Sequence, residues 1–261
     1  MEYTIITGAC GGLGKAFVEE LAARGENLLL LGRSQGRLEE LSASLKERYG
    51  LDALCYELDL TDAEARKRFA EYLSENGVLV SRLVNVAGAD VQKAFSAYTQ
   101  DKIAFQARVN FEGAVSLSHI AIERKAKTLE IINVSSVSGI YPMPYFAVYS
   151  ATKRALWSFS VAIREEMRRE GVKVTAVLPG AMPTRDDVKE QIKGQGLWGK
   201  LAVKTPAFVA KKSLEKVRKN KRTYIPGFFN RVMNASTKIV PLSWKLKFIA
   251  KRWSKISKDA F

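Results

Sequence analysis

Histidine and cysteine are scarce in this chain of 261 residues, which contains one histidine and two cysteines. A single histidine, His119, cannot build a zinc site, and packing or a subunit contact is the simpler role for it. Cys10 and Cys55 do not indicate a disulfide framework, so we expect free thiols in a reducing compartment. The composition therefore argues against a histidine-based zinc site and against a disulfide-stabilised scaffold.

Long apolar runs are also lacking. No segment approaches the roughly 18 apolar residues that a membrane-spanning helix needs. The first strand-like run begins at Glu2, which leaves no room ahead of it for a signal or transit segment, so we expect a cytoplasmic protein. The sequence shows no internal repeat or interdomain linker, and its length fits one α/β domain.

Acidic residues are nearly missing from the last quarter of the chain. Residues 200–261 contain 17 lysines and arginines but two acids, whereas residues 1–199 contain 25 basic and 25 acidic side chains. The whole net charge of +15 therefore falls in this last quarter. We predict a catalytic domain at 1–227 and a basic amphipathic C-terminal extension at 228–261.

The extension combines positive charge with apolar residues that recur at spacings of three and four, as on one stripe of a helix. These residues are Leu242, Leu246, Ile249, Trp253 and Ile256. A basic amphipathic helix with a tryptophan is typical of peripheral contact with an anionic membrane, here the inner membrane surface. An equally good interpretation is a stripe that covers the protein's own core or a subunit partner. Nucleic-acid binding is the weakest interpretation, because no recognised binding module accompanies the charge.

The rest of the chain alternates between strand-like and helix-like segments. Apolar and β-branched runs predict strands at 2–7, 27–31, 54–57, 83–85, 129–134 and 173–177. Helical patterns are present at 15–24, 35–49, 62–76, 99–125 and 147–170. Strands that alternate with helices build right-handed βαβ units, so we predict a doubly wound parallel sheet of the Rossmann type.

Tyr149 and Lys153 are the pair most suggestive of chemistry. Their four-residue spacing places the phenol and the ammonium on one face of a helix. A phenol has a pKa near 10, and a positive charge one turn away favours the phenolate and lowers that pKa toward the working range. A hydroxyl of the upstream pair, Ser135 and Ser136, would hold a carbonyl oxygen while the proton is transferred. The pattern indicates alcohol–carbonyl chemistry, provided that a hydride carrier is bound beside it.

A glycine-rich turn near the start of the chain is suited to that carrier. The first strand runs directly into Gly8-Ala9-Cys10-Gly11-Gly12-Leu13-Gly14, and a helical stretch follows. Glycines allow the backbone to approach a pyrophosphate, and the helix N-terminus favours an anion. A strand, a glycine turn and a helix start in this order predict a dinucleotide site.

Together these residues resemble the short-chain dehydrogenase/reductase family in its shorter, single-domain form, from Met1 to about Thr184. The motifs that carry the resemblance are Thr7-Gly8 with Gly12 and Gly14, Asp59 with Leu60, Asn85 with Ala87 and Gly88, Asn110, Ser136, Tyr149 with Lys153, and Pro179-Gly180 with Thr184. Ser136 lies thirteen residues before Tyr149, the family's usual spacing, which selects it over Ser135. The longer sugar-epimerase branch shares the tyrosine and lysine, but this chain leaves little room for its larger C-terminal domain.

The resemblance implies a role for each motif residue. Tyr149 would act as the acid and base, Ser136 would bind the reacting oxygen, Lys153 would lower the tyrosine pKa and bind the nicotinamide ribose, and Asn110 would support Lys153 through a water. The cofactor would contact Gly8, Gly12, Leu13, Gly14, Asp59, Leu60, Asn85, Ala87, Gly88, Tyr149, Lys153, Pro179, Gly180 and Thr184. Family members of this kind also form homodimers or homotetramers through the helices that carry Asn110 and Tyr149.

The end of the second strand bears on the choice between the two nicotinamide cofactors. An acid there would bind the ribose hydroxyl of NAD and repel the phosphate of NADP. This chain has Gly32 at that position, followed by Arg33 and Ser34, which can donate hydrogen bonds to a phosphate. We therefore predict NADP(H) as the preferred cofactor, with NAD(H) left possible because Gly11 replaces a basic residue often found in NADP enzymes.

The substrate signal is an apolar one. Residues 184–204 are expected to form a lid that includes Trp198. The opposite wall is expected to include Met143, Pro144, Tyr145 and Phe146. An apolar pocket suits a hydroxysteroid, a bile acid or a 3-oxoacyl group better than a sugar. We predict an oxidoreductase that interconverts a ketone and a secondary alcohol on a lipophilic small molecule. The alternative is a non-enzymatic NADPH-binding sensor or scaffold, recruited to a membrane or a partner by the basic tail.

Overall fold

The structure, a computed structural model, describes residues 1–183, 203–236, 239–254 and 258–259. The described strands are β1 Glu2–Thr7, β2 Leu28–Gly32, β3 Leu54–Glu57, β4 Leu79–Asn85, β5 Val91–Gln92, β6 Lys125–Val134, β7 Val172–Val177, β8 Thr223–Tyr224 and β9 Lys258–Asp259. The described α-helices are α1 Gly12–Ala22, α2 Gln35–Tyr49, α3 Ala63–Glu75, α4 Gln100–Ala107, α5 Gly113–Glu123, α6 Ala147–Glu166, α7 Pro206–Arg218, α8 Phe228–Ser236 and α9 Leu242–Trp253.

Seven of these strands form one parallel sheet with the order β3-β2-β1-β4-β6-β7-β8. The chain builds outward from β1 to β3, crosses back to β4 beside β1, and then builds outward in the other direction. In open sheets of this kind, ligands bind beyond the carboxyl ends of the strands where the order reverses. The predicted doubly wound Rossmann-type sheet is confirmed, and the topology places a ligand site next to the ends of β1 and β4.

The helices cover both faces of the sheet and create two apolar cores. Phe17 of α1, Leu38 of α2 and Leu214 of α7 are fully buried on one face. Phe69 of α3 and Leu117 of α5 are fully buried on the other face. Burial on both sides explains why the central strands are apolar along nearly their whole length. This packing fixes the strand ends that carry the site.

The predicted strands and helices are present, with shifted boundaries at several ends. The predicted helix at 99–125 is interrupted: α4 and α5 are separated by a wider π-helical turn at Arg108–Glu112, and β6 already begins at Lys125. The predicted helix at 147–170 ends at Glu166 and continues as a 3₁₀ turn. The two-residue strands β5, β8 and β9 are too short to produce a sequence pattern.

The C-terminal part of the chain folds back over the sheet's ligand-binding edge. β9 pairs antiparallel with β5, which lies shortly after β4. Ile249 of α9 is buried against Met143 and Phe146, which precede α6. Within the described ranges, no helix is long and apolar enough to cross a bilayer. The predicted boundary at residue 227 stays a prediction.

Candidate active site

A cavity of about 1400 Å³ lies beyond the carboxyl ends of β1, β2, β4, β6 and β7. Most of the residues predicted for the site line it. These are Gly8, Gly12, Leu13, Gly14, Arg33, Ser34, Asp59, Leu60, Ala87, Gly88, Ser136, Met143, Tyr149, Lys153, Pro179 and Gly180. The cavity is large enough to accept a dinucleotide at one end and a second molecule at the other.

The glycine turn at the end of β1 leaves room that other residues would fill. Gly8 has φ +62°, in the left-handed region, and a Cβ there would lie 3.1 Å from the Ala87 Cα. A Cβ on Gly14 would lie 2.0 Å from the Gly8 carbonyl oxygen, so α1 can begin this close to the turn because position 14 is glycine. The turn and the N-terminus of α1 therefore form a close-approach cradle for a pyrophosphate. The residues present fit a dinucleotide.

The ends of β1 and β4 are held together beneath this cradle. The Thr7 hydroxyl oxygen accepts hydrogen bonds at 3.0 Å from the backbone N–H groups of Val86 and Ala87. At the end of β3, the Asp59 carboxylate accepts bonds at 2.8 Å from the backbone N–H and the hydroxyl of Thr61. These bonds fix the loops that follow β1, β3 and β4, and residues of all three loops line the cavity.

The cavity edge beyond β2 is basic. Arg33, Ser34 and Arg37 all line it and all are exposed, and no acid lies at positions 32–34. Within the described part of the chain, neither guanidinium takes part in an ion pair. Arg37 also lies against the glycine turn, because its guanidinium approaches the Cys10 carbonyl oxygen at 3.5 Å. Arg37 was missed from the sequence, although its position in the first turn of α2, four residues after Arg33, would have shown it.

Cys10 lies in the turn but is not an activated thiol. Burial raises the pKa of Cys10, and the opposing positive charges of Arg37 and Lys15 do not reverse the shift. Its thiol donates to the Arg37 carbonyl oxygen at 3.3 Å. Among the described residues, no group of three or more histidine, cysteine, aspartate or glutamate side chains is placed to hold a metal ion. Cys10 therefore helps to join the turn to α2.

Lys153 is the buried charge of the site. Its side chain is 3% exposed, and its ammonium donates a hydrogen bond to the Val134 carbonyl oxygen at 2.9 Å. Burial lowers the pKa of Lys153 to about 8, although the charge of Asp90 opposes this shift. The Nζ atom lies 5.8 Å from the centroid of the Tyr149 ring, one turn earlier on α6. At neutral pH a buried ammonium is therefore held beside the phenol.

Asn110 reaches this pair from the π-helical turn between α4 and α5. Its amide is fully buried, accepts from the Ala89 N–H at 2.7 Å and donates to the Ala89 carbonyl at 2.8 Å. A Cβ on Gly88 would lie 3.0 Å from both the Asn110 Oδ1 atom and the Lys153 Nζ atom. Asn110 does not line the cavity itself, and it lies behind Gly88 next to Lys153. π-Helical turns are common at functional sites, where they reposition one side chain.

The two adjacent serines face different partners. The Ser135 hydroxyl donates to the Lys153 carbonyl oxygen at 2.7 Å and is committed to the backbone of α6. The Ser136 hydroxyl oxygen accepts from the Ser138 N–H at 3.1 Å, which leaves its own proton for a group in the cavity. The geometry therefore agrees with the choice of Ser136 as the serine that meets the reacting oxygen.

Asn85 and Tyr145 lie elsewhere than the sequence suggested. The Asn85 amide donates to the Asn133 Oδ1 atom at 2.8 Å inside the sheet, so its side chain joins β4 to β6 and does not line the cavity. Tyr145 is also absent from the cavity wall and adopts φ +63°, a strained conformation for a tyrosine. Of the four residues predicted for this wall, Met143 and Phe146 line the cavity, and Pro144 and Tyr145 do not. Thr184 and Trp198, with the predicted lid at 184–204, fall largely outside the described residues.

The substrate end of the cavity is predominantly apolar and includes the C-terminal helix. The Phe146 ring stacks on the Tyr149 ring at 4.4 Å between centroids, and the ring of Trp253 of α9 stacks on Phe146 at 6.3 Å. Residues of this wall that the sequence did not reveal are Phe105, Val109, Tyr141, Met182, Phe229, Phe248, Ile249 and Trp253. For Ile249 and Trp253, the interpretation that the apolar stripe covers the protein's own interior agrees with this packing.

Comparisons with known proteins agree with the fold. A family model described as short chain dehydrogenase matches residues 2–193. A very-long-chain 3-oxoacyl-CoA reductase from Bos taurus is 30% identical over 70% of this chain, and hydroxysteroid dehydrogenase-like protein 1 from Gallus gallus is 31% identical over 70%. The chain spans 60% and 56% of the lengths of these two relatives.

Solved structures show the same fold. A 7beta-hydroxysteroid dehydrogenase superposes with a TM-score of 0.83 at 24% identity, over 95% of this chain and 96% of that one. The family match covers most of the chain and includes the glycine turn, Ser136, Tyr149 and Lys153. The chain therefore belongs to the short-chain dehydrogenase family.

Proposed function

We propose that this protein is an NADP(H)-dependent oxidoreductase that interconverts a ketone and a secondary alcohol on a lipophilic substrate. One observation carries the proposal. A single cavity joins a glycine-rich pyrophosphate cradle to Ser136, Tyr149 and a buried, positively charged Lys153. A cradle alone would suit many nucleotide-binding proteins, and the reactive side chains alone would lack a hydride source. Their presence in one cavity favours hydride transfer coupled to proton transfer.

The residues that line the cofactor end of the cavity suit NADP(H). When bound, the nicotinamide dinucleotide supplies or accepts the hydride. Gly8, Gly12 and Gly14 would hold its pyrophosphate, and Asp59 would contact its adenine. Arg33 and Arg37 would offer charge-assisted hydrogen bonds to a ribose phosphate, with the Ser34 hydroxyl beside them. Two exposed guanidinium groups at this edge support a preference for the phosphorylated cofactor.

The protein's own groups handle the proton. For reduction, Tyr149 donates its phenolic proton to the oxygen of the carbonyl group as that oxygen becomes an alkoxide, while the Ser136 hydroxyl donates a hydrogen bond to the same oxygen. The Lys153 ammonium stabilises the resulting phenolate, and Asn110 holds the loop at Ala89 that faces them. For oxidation, the same phenolate accepts the proton of the alcohol. The apolar rings of Phe146 and Trp253 exclude water from this end.

The substrate class follows from the lining and from the relatives. Phe105, Tyr141, Met143, Phe248 and Trp253 surround the space in front of Tyr149 with aromatic and apolar surface. Two relatives of the chain carry the names very-long-chain 3-oxoacyl-CoA reductase and hydroxysteroid dehydrogenase-like protein 1. Both names support a lipophilic carbonyl compound. We propose 3-oxoacyl thioesters and ketosteroids, including bile acids, as the two classes to test.

Assembly and location remain proposals. We propose a homodimer or homotetramer formed through α5 and α6, as the family resemblance implies. We propose a cytoplasmic location because the described residues include no membrane-spanning helix and the two cysteines are free thiols. The peripheral contact with an anionic membrane that the sequence suggested is, at this point, a prediction.

Two measurements on the purified protein test the function and separate it from the sensor alternative. Fluorescence titration with NADPH and NADH measures binding, and a panel of 3-oxoacyl thioesters, ketosteroids and bile acids measures NADPH oxidation. The proposal predicts NADPH binding and turnover of at least one lipophilic carbonyl class. NADPH binding without turnover of any member would favour the sensor or scaffold, and absence of binding would contradict both.

A further inference from the structure

The C-terminal helix α9 presents two different apolar faces. Ile249 and Trp253 face inward and pack on Met143 and Phe146 at the cavity wall. Trp244 and Phe248 lie one turn apart on the other side, and their side chains are 69% and 67% exposed. The inward face therefore anchors the helix, and the outward face has aromatic side chains that the protein's own core does not cover.

The outward face belongs to a chain segment that is rich in exposed apolar side chains. Of the twelve large hydrophobic residues that are exposed in the described part of the chain, seven fall between positions 228 and 248. They are Phe228, Val232, Ile239, Val240, Leu242, Trp244 and Phe248. We call this set the apolar platform. Single exposed hydrophobic residues are ordinary, but seven within one short segment indicate an interaction surface.

The charged residues of the chain segment that carries the platform are all basic. Lys247 and Lys251 are exposed and share the outward face of α9 with Trp244 and Phe248, at helical spacings of three and four. Between Glu215 and Asp259 the chain contains no acidic residue at all. The platform is thus a set of large apolar side chains interleaved with lysines, with no acid in the same segment.

We propose that the apolar platform docks on an anionic lipid bilayer, with its aromatic and aliphatic side chains among the lipids and its lysines at the headgroups. Aromatic residues bordered by lysines match the polarity of the membrane interface, and the positive charge is complementary to acidic headgroups. Four members of the platform are aliphatic, and aliphatic side chains do not stack on nucleic-acid bases, which single-stranded nucleic acids would require. A second copy of the same surface would place lysines against lysines in an isologous dimer.

The platform also adjoins the entrance of the cavity. Phe248 lines the cavity and is at the same time largely exposed, and Phe229 of α8 lines the cavity next to the exposed Phe228. Docking through the platform would therefore turn the cavity mouth toward the lipid. If the proposed function holds, a lipophilic substrate would pass from the bilayer to Tyr149 without crossing water. Docking itself does not depend on turnover.

The test is co-sedimentation of the full chain with vesicles. Vesicles of phosphatidylcholine with about one-third phosphatidylserine are compared with vesicles of phosphatidylcholine alone, because the positive charge predicts a preference for acidic lipid. The double variant Trp244→Ser/Phe248→Ser removes the two outward aromatic side chains. Tyr49→Ser is the matched control, because Tyr49 is an exposed aromatic at the far end of α2, on the opposite edge of the sheet from the cavity.

We expect the wild-type chain and Tyr49→Ser to sediment with the acidic vesicles, and the double variant to lose at least about tenfold in partitioning. Lys247→Glu/Lys251→Glu should weaken binding to acidic vesicles and leave any binding to phosphatidylcholine unchanged. Thermal unfolding of each variant shows that it is folded. Equal partitioning of the wild type and the double variant would overturn the proposal. If the double variant has a lower oligomeric state in light scattering while its vesicle binding persists, the platform is a contact with a second copy of the chain. If a single-stranded oligonucleotide releases the wild-type protein from the vesicles, the platform binds nucleic acid.

Discussion

Lys153 gives the most specific physical prediction, because its burial opposes folding while its charge serves the site. Methionine at position 153 keeps the apolar stem and removes the ammonium. The usual lysine pKa of about 10.5 falls to about 8 in the folded protein, and this difference corresponds to about 3 kcal/mol at 25 °C. Replacement also removes the hydrogen bond to the Val134 carbonyl, and a buried carbonyl without a partner costs about 1–3 kcal/mol.

These two effects differ in their dependence on pH. Below pH 8 the lysine is charged in both the folded and the unfolded chain, so the folded protein bears the full cost of the buried charge. Between pH 8 and pH 10.5 the folded lysine loses its proton while the unfolded lysine keeps it, and that cost disappears. The lost hydrogen bond to Val134 does not titrate. The wild-type protein should therefore gain about 2 kcal/mol of unfolding free energy relative to Lys153→Met between pH 7 and pH 9.5.

Urea unfolding at both pH values measures this difference, and Lys67→Met, at an exposed position on α3, is the control. The free-energy gap between the wild type and Lys67→Met should stay constant with pH. A gap between the wild type and Lys153→Met that is equally constant would refute the claim that Lys153 is a buried, charged group at neutral pH. Turnover by Lys153→Met should fall at least about a hundredfold, since the phenol loses its neighbouring charge.

Three further predictions concern the cavity. Gly14→Ala should weaken NADPH binding at least about tenfold in fluorescence titration, because the added methyl group would lie 2.0 Å from a backbone oxygen and would push α1 away from the turn. Binding at wild-type affinity would contradict the claim that the turn and the start of α1 hold the pyrophosphate. Arg33→Ala/Arg37→Ala should raise the Kd for NADPH by roughly 10- to 100-fold and leave the Kd for NADH nearly unchanged, whereas equal losses for both cofactors would show that the arginines do not recognise the phosphate. Trp253→Ala should lower the free energy of unfolding by about 1–2 kcal/mol and raise KM for a lipophilic substrate, because Phe146 loses its stacking partner. An unchanged KM would show that α9 does not contribute to substrate binding.

Much of the fold could be predicted from the sequence because local patterns and tertiary packing agree. The helix at Gln35–Tyr49 has the predicted bounds, and its C-terminus coincides with Gly50 in the left-handed conformation. The interruption at Arg108–Glu112 could not be predicted, because the side chain of Asn110 bonds to Ala89, which is distant in the sequence. Local propensity carries no information about such a contact.

The site shows the same division between local and distant information. The reactive residues Tyr149 and Lys153 follow from their spacing on one helix, and Ser136 follows from its distance to Tyr149. The wall formed by Phe229, Phe248 and Trp253 depends on how α8 and α9 fold back over the sheet edge, which no local pattern records. The amphipathic stripe of α9 was visible in the sequence, but its contact with Phe146 was not.

The most direct test of the account compares two tyrosines four residues apart. Tyr149→Phe removes the proposed proton donor and keeps the ring that stacks on Phe146, while Tyr145→Phe removes a hydroxyl outside the cavity. With NADPH and a reducible carbonyl substrate, we expect kcat to fall by about a hundredfold or more in Tyr149→Phe, with the Kd for NADPH unchanged. In Tyr145→Phe we expect kcat to stay near the wild-type value. A loss smaller than tenfold in Tyr149→Phe, or equal losses in both variants, would contradict the assignment of Tyr149 as the acid and base.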